Sequence, residues 1–168
     1  MKESNGGSID LWKMCVEEQL LLFGHRNWIV VADSAYPVHS SAGIETIATG
    51  ADMSEVIDFV LLTIDKCAHL KANIYKDEEL ELVNDRDALG VSRYRRRLAG
   101  LIGRHDCRVL PHDQIIAKLD GCAKMFRVLI LKTTLAIPYT SIFIHLECGY
   151  WNPKAEDRLR HSMTSSKG

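Results

Sequence analysis

Trp28-Ile29-Val30-Val31-Ala32 is an unbroken apolar run, partly β-branched. A strand that buries one face alternates apolar with polar side chains, so a run without alternation must be covered on both faces. This short segment therefore demands a sheet sandwiched between helices.

The rest of the chain supplies those layers. Leu11, Met14, Cys15, Leu21 and Leu22 recur at mainly helical spacing and are followed by Gly24, so the pattern predicts a first helix facing inward through those residues. A second short strand is expected at Ile44 to Ala48. Asp52 and Glu55 form a capping-box pattern ahead of a helix that runs to about Ile64, with Val56, Val60 and Ile64 on one face. Leu70 to Lys76 alternates like a strand. "NDRDALGVSRYRRRLAGLIG" is read as helical, with Leu89, Tyr94, Leu98 and Leu101 inward and Arg93, Arg95, Arg96 and Arg97 largely outward. "CRVLP" is a strand, His112 or Asp113 starts the helix "DQIIAKL", and "FRVLILKT" and "TSIFIHLE" are the final strands. Strands and helices alternate without repeat or linker, which predicts a single α/β domain with a mixed sheet covered by helices in three layers. Residues 1–8 read as a flexible leader and 9–151 as the domain. Residues 152–168 form a polar tail with too little to bury to offset its ordering entropy, so fraying is expected there.

Composition narrows the function. Lys plus Arg total 21 against Asp plus Glu at 22, so no overall field recruits nucleic acid, and the arginine run reads as a solvated face or a subunit contact. The N-terminus lacks the apolar core of a signal peptide, and no apolar run reaches the ~20 residues that span a bilayer, so a soluble cytoplasmic protein with no membrane contact is expected. Five cysteines without a C-x-x-C pair predict reduced thiols, and no histidine spacing matches a known zinc site, so no metal is expected. Neither glycine-rich nucleotide signature occurs.

Chemistry-bearing residues gather around the first apolar run. Asp33 follows it directly, where an ionised carboxylate must be paired or hydrogen-bonded, and Asp33 to His39 packs a carboxylate, a phenol, a proline and an imidazole into one loop. Ligands of such sheets bind where strands end. Asp33 is equally well read as a turn former, His25 as a partner for the end of the first helix, His39 and His112 as surface residues, and Tyr139 as packing with its hydroxyl in water. A strand of six to eight residues is roughly 20 to 26 Å long. His25 and Asp33 can therefore share one pocket only if that stretch turns or a neighbouring subunit contributes one of them.

The segment "GHRNWIVVADSAYPVHS", with Gly24, His25, Asp33 and Pro37 in order, resembles the ribose pyranase and fucose mutarotase family. "PVHS" and "SRYRRRLAG" are similar to its fucose branch, whereas "LPHDQ", with His112, and "PYTSIFI", from Pro138, are similar to its ribose branch. The likeness extends from about Ile9 to Trp151. It implies interconversion of ring forms of a free monosaccharide without metal, redox or organic cofactor. It also implies a ring-shaped homo-oligomer, commonly a decamer of two stacked pentamers, with sites near subunit boundaries. By that resemblance His25 is an acid/base group, Asp33 orients an imidazole or a sugar hydroxyl, His112 is a second proton carrier and Tyr139 a hydroxyl donor, with His39 and Ser141 contacting substrate.

The chain departs from the family pattern in three places. Tyr139-Thr140-Ser141 stands where the family has Tyr-x-Asn, "LKTTLAIPY" replaces a Thr-Gly-Glu-type approach, and the tail after Trp151 is longer. Serine lacks the paired donor and acceptor of an amide, which leaves open a sugar-binding or transport-associated protein without turnover. A structural ring that contacts another macromolecule through its arginine helix is a third reading.

Overall fold

The computed structural model describes residues 10–165; the expected leader, 1–8, lies outside them. In chain order the elements are α1 (Leu11–Leu22), β1 (Trp28–Ala32), β2 (Ile44–Ala48), α2 (Met53–Asp65), β3 (Leu70–Asp77), a 3₁₀ turn (Glu78–Glu81), α3 (Val91–Ile102), β4 (Asp106–Leu110), α4 (His112–Ala123), β5 (Val128–Lys132), β6 (Ile142–Cys148) and α5 (Pro153–Ser165). The strands form one six-stranded sheet in the order β2-β5-β1-β6-β3-β4. β6 pairs antiparallel with both β1 and β3, while the β1–β5, β2–β5 and β3–β4 pairs are parallel. The C-terminal ends of five strands and the N-terminal end of β6 therefore share one border of the sheet.

Every residue of β1 is buried, as its unbroken apolar sequence requires. Ile29 and Val31 point to one face with Ile74, Leu129, Leu131 and Ile144, against Trp12, Val16 and Leu20 of α1, Val56, Val60 and Ile64 of α2 and Leu98 of α3. Trp28 and Val30 point to the other, with Tyr75, Val128, Ile130 and Phe143, against Ile115 and Leu119 of α4. The three-layer α/β expectation holds, with the helices distributed three to one over the faces.

Local signals account for the starts of two helices. Asp52 caps α2 by accepting the Ser54 N–H at 3.0 Å, while Glu55 turns aside to pair with Lys13 at 2.9 Å. Gly90, in the left-handed region at φ 93°, ends the 84–90 loop and begins α3.

Four details correct the pattern reading. The buried stripe of α1 is Trp12, Val16 and Leu20, one residue out of phase with the expected one, and Leu22 is 79% exposed. Both stripes are apolar, and packing favours the one that carries the indole, which meets Phe59 edge-on at 5.2 Å. Leu89 lies before the helix and is exposed, because the Gly90 turn breaks helical continuity ahead of it. Arg95 is drawn inward, donating to the carbonyls of Leu80 at 2.8 Å and Val83 at 2.6 Å. Pro153–Ser165 of the expected tail form the helix α5 where fraying was expected; local bonds such as the Arg160–Glu156 pair at 2.6 Å support it, and none of its residues is buried.

Candidate functional site

The shared border of the sheet holds a cleft of about 600 Å³, within the usual range for small-molecule sites. Asp33, Tyr36 and His39 reach it from the loop after β1, Asp77 from the end of β3, His112 from the start of α4, and Tyr139 and Ser141 from the approach to β6. Parallel strands terminate their backbone ladders here, so side chains from segments distant in sequence converge.

Asp33 acts in two ways at once. Its Oδ1 accepts the Ala35 N–H at 2.9 Å, the turn-forming role, while Oδ2 accepts the Ser141 hydroxyl at 3.3 Å. The Ser141 oxygen in turn accepts the Asp33 N–H at 3.1 Å. Ser34 N–H donates to the Leu135 carbonyl at 2.8 Å, joining the loops that follow β1 and β5.

The strongest polar arrangement centres on Asp77, which the sequence reading did not single out. Its side chain is buried, and its Oδ2 lies 3.0 Å from His112 Nδ1. Burial pushes the Asp77 carboxyl up to about 6; the charge and hydrogen bond of His112 oppose that rise, while the negative charges of Glu79 and Asp33 add to it. With Nδ1–H donated to the carboxylate, the Nε2 of His112 is the atom left to exchange a proton with a ligand. The imidazole is boxed by Tyr139, edge-on at 5.8 Å, and by Phe143 at 6.3 Å. Its main chain is held too, since the His112 N–H donates to both oxygens of Glu79, at 3.1 and 3.0 Å.

Three polar atoms of cleft residues are buried without a hydrogen-bond partner: Tyr36 Oη, His39 Nε2 and Asp77 Oδ1. Burial also holds the Tyr36 phenol far above its ordinary value, so it remains a neutral donor, and its ring stacks on His39 at 5.8 Å. Unpaired buried polar atoms destabilise a fold by roughly 1 to 3 kcal/mol each, so their concentration on one cavity marks it as a place for a polar ligand. The lining also includes the apolar Pro37, Ile116, Ile137 and Pro138, and among the described residues no Lys or Arg lines the cleft. Tyr139 holds a left-handed backbone at φ 59°, a strained conformation for a side chain of its size.

Of the expected residues, Asp33, His39, His112, Tyr139 and Ser141 come together at the cleft. His25 does not join them within one chain. It lies in the turn before β1, at the opposite border of the sheet, where Arg26 takes φ 76° and its N–H donates to the Leu146 carbonyl at 2.9 Å. The end of α1 is closed without it: Phe23 N–H bonds Gln19 O at 2.8 Å, and Asn27 Oδ1 accepts the Gly24 N–H at 2.8 Å. Asp77 was legible by the logic applied to Asp33, since Asp33 follows β1 directly and Asp77 is the last residue of β3. Tyr36 was noted as the phenol of the Asp33–His39 loop but given no role, and Glu79 carried no signal.

Among the described residues, no helix is long and apolar enough to cross a membrane, no group of three or more His, Cys, Asp or Glu side chains could hold a metal ion, and all five cysteines are free thiols.

No protein-family model and no curated protein sequence matches the chain. Solved structures do. Bacillus subtilis RbsD complexed with D-ribose aligns at a TM-score of 0.56 with 17% identity, covering 88% of this chain and 98% of that one. The fucose mutarotase from Streptococcus pneumoniae in complex with L-fucose aligns at 0.51 with 20% identity, over 83% and 92% of the two chains. FucU from Bifidobacterium longum aligns at 0.52 with 17% identity, over 77% and 91%. The chain shares the fold of these proteins.

Proposed function

We propose that this chain belongs with the ribose pyranase and fucose mutarotase family and is a cofactor-independent mutarotase or pyranase acting on a neutral monosaccharide. The observation that carries the reading is the Asp77–His112 pair, opening on a cleft whose Tyr36, His39 and Asp77 atoms lack partners. A sugar hydroxyl both donates and accepts, which suits an unpaired phenol, an imidazole nitrogen and a carboxylate oxygen together. The apolar part of the lining suits the C–H face of a sugar ring. A phosphorylated or carboxylated sugar would meet Asp33 and Asp77 with no cation to offset them.

Ring opening needs a base for the anomeric hydroxyl proton and an acid for the ring oxygen. As the O1–H proton leaves, its electrons form the C1 carbonyl, the C1–O5 bond breaks, and O5 takes a proton. Rotation about C1–C2 followed by the reverse transfers gives the other anomer; attack by a different hydroxyl gives the other ring size. His112 Nε2 is assigned one transfer, with Asp77 orienting the ring and offsetting the imidazolium. Tyr139 donates to a sugar oxygen, and Asp33, His39 and Ser141 bind hydroxyls. His25 is assigned the second transfer in the cleft of a neighbouring copy, within a ring-shaped homo-oligomer, commonly a decamer in the family. A general acid/base pair contributes ~10²- to 10⁴-fold, sufficient for a reaction that already runs in water.

Saturation-transfer NMR on equilibrated fucose, ribose and galactose is the test. Anomer exchange is expected to quicken with protein present and to fall to the background rate with His112→Ala. Unchanged exchange across all the sugars overturns the reading. A second reading, sugar binding without turnover, is favoured by Ser141, whose hydroxyl is engaged with Asp33. Calorimetric binding beside background exchange supports it.

A further inference from the structure

We propose that Glu79 is the positioning residue of the cleft, fixing His112 through its main chain and tuning the Asp77–His112 pair through its charge; its importance for turnover rests on the mutarotase reading above. His112 is the first residue of α4, and Pro111 before it offers no side-chain cap. The first amides of a helix lack intrahelical acceptors, and the helix dipole concentrates positive potential there. Glu79, on the 3₁₀ turn that follows Asp77 by two residues, answers both needs by accepting the His112 N–H with both carboxylate oxygens, at 3.1 and 3.0 Å. One short stretch, Asp77 to Glu79, therefore grips the same histidine by ring and by backbone. The two grips set its position and its rotamer separately.

The charged and titratable groups that share the cleft with the imidazole or act on Asp77 are Asp77 from β3, Glu79 from the 3₁₀ turn, Asp33, Tyr36 and His39 from the β1 loop and Tyr139 from the approach to β6. Asp33 approaches from one segment, and Asp77 and Glu79 from another, the continuous stretch that ends β3 and opens the 3₁₀ turn. Glu79 is the one among them that touches the His112 amide and also raises the Asp77 carboxyl.

Two substitutions separate the roles. Glu79→Gln keeps an acceptor for the amide but removes the charge; Glu79→Ala removes both. Protein NMR reads the Asp77 carboxyl titration and the His112 amide exchange without any sugar present. Both variants are expected to move the Asp77 titration to lower pH by about half a unit. Only Glu79→Ala is expected to speed His112 amide exchange, by about tenfold, the loss of one hydrogen bond. In the sugar assay, Glu79→Gln moves the acid limb of the rate profile in the same direction, and Glu79→Ala lowers the rate by about 10- to 100-fold. An unmoved Asp77 titration in both variants, or unchanged amide exchange in Glu79→Ala, overturns the proposal. If the titration and amide results appear while wild-type protein catalyses no exchange, the positioning role stands and the mutarotase reading falls.

Discussion

A carboxyl group shut away from water with one unpartnered oxygen is held at the expense of stability, and Asp77 is such a group. Its folded value near 6 stands above the 3.8 of an unperturbed aspartate. The folded chain therefore keeps this proton at a pH where the unfolded chain has lost it. The associated stability is fully present below about 3.8 and is lost as pH rises through about 6. Asp77→Asn removes that dependence. Urea denaturation at pH 4 and pH 7 is expected to show the variant gaining on wild type by the order of 2 kcal/mol at the higher pH, with sugar exchange lost. No gain at pH 7 would mean that the His112 contact offsets the burial entirely. Tyr139 shows a second strain at the same cavity. Tyr139→Gly relaxes the φ 59° backbone yet removes the ring that walls His112, so melting temperature is expected to hold or rise while the rate falls.

At the scale of elements, the cleft depends on how the segment before β6 is anchored. The Tyr94 hydroxyl of α3 donates to the Thr140 carbonyl at 2.6 Å, and both groups are buried. Tyr94→Phe leaves that carbonyl unpaired, and chemical denaturation is expected to show a loss of about 1 to 3 kcal/mol. The same change loosens Tyr139 and Ser141 and raises the sugar concentration needed for half-maximal rate. Element order was readable because strand and helix periods differ: the run through Trp28 to Ala32 and the Val56, Val60, Ile64 stripe both bury as their spacing dictates. The facing of α1 was not readable, since Leu11, Leu21 and Leu22 are as apolar as the residues that pack, and only the volume of Trp12 decides between the stripes. Asp33 could be picked from loop chemistry, whereas His112 and Tyr139 were singled out only by the family resemblance. Their meeting with Asp77 depends on β3 lying beside β6, a neighbourhood that sequence order does not carry.

For the whole molecule, α5 contributes no buried residue, so removing residues 152–168 is expected to leave the melting temperature within a degree or two, about the scatter of a surface change. A large drop would reveal that the helix is covered in the assembled protein. The sheet finishes in two unlike outer strands, β2 and β4, each bonded on one side only among the described residues. Suppose one copy lays its β4 along the β2 of the next. The row then still presents a free β2 at one extremity and a free β4 at the other, and such stacking halts only where the row bends round to meet its own start; a row that fails to bend lengthens into a fibre.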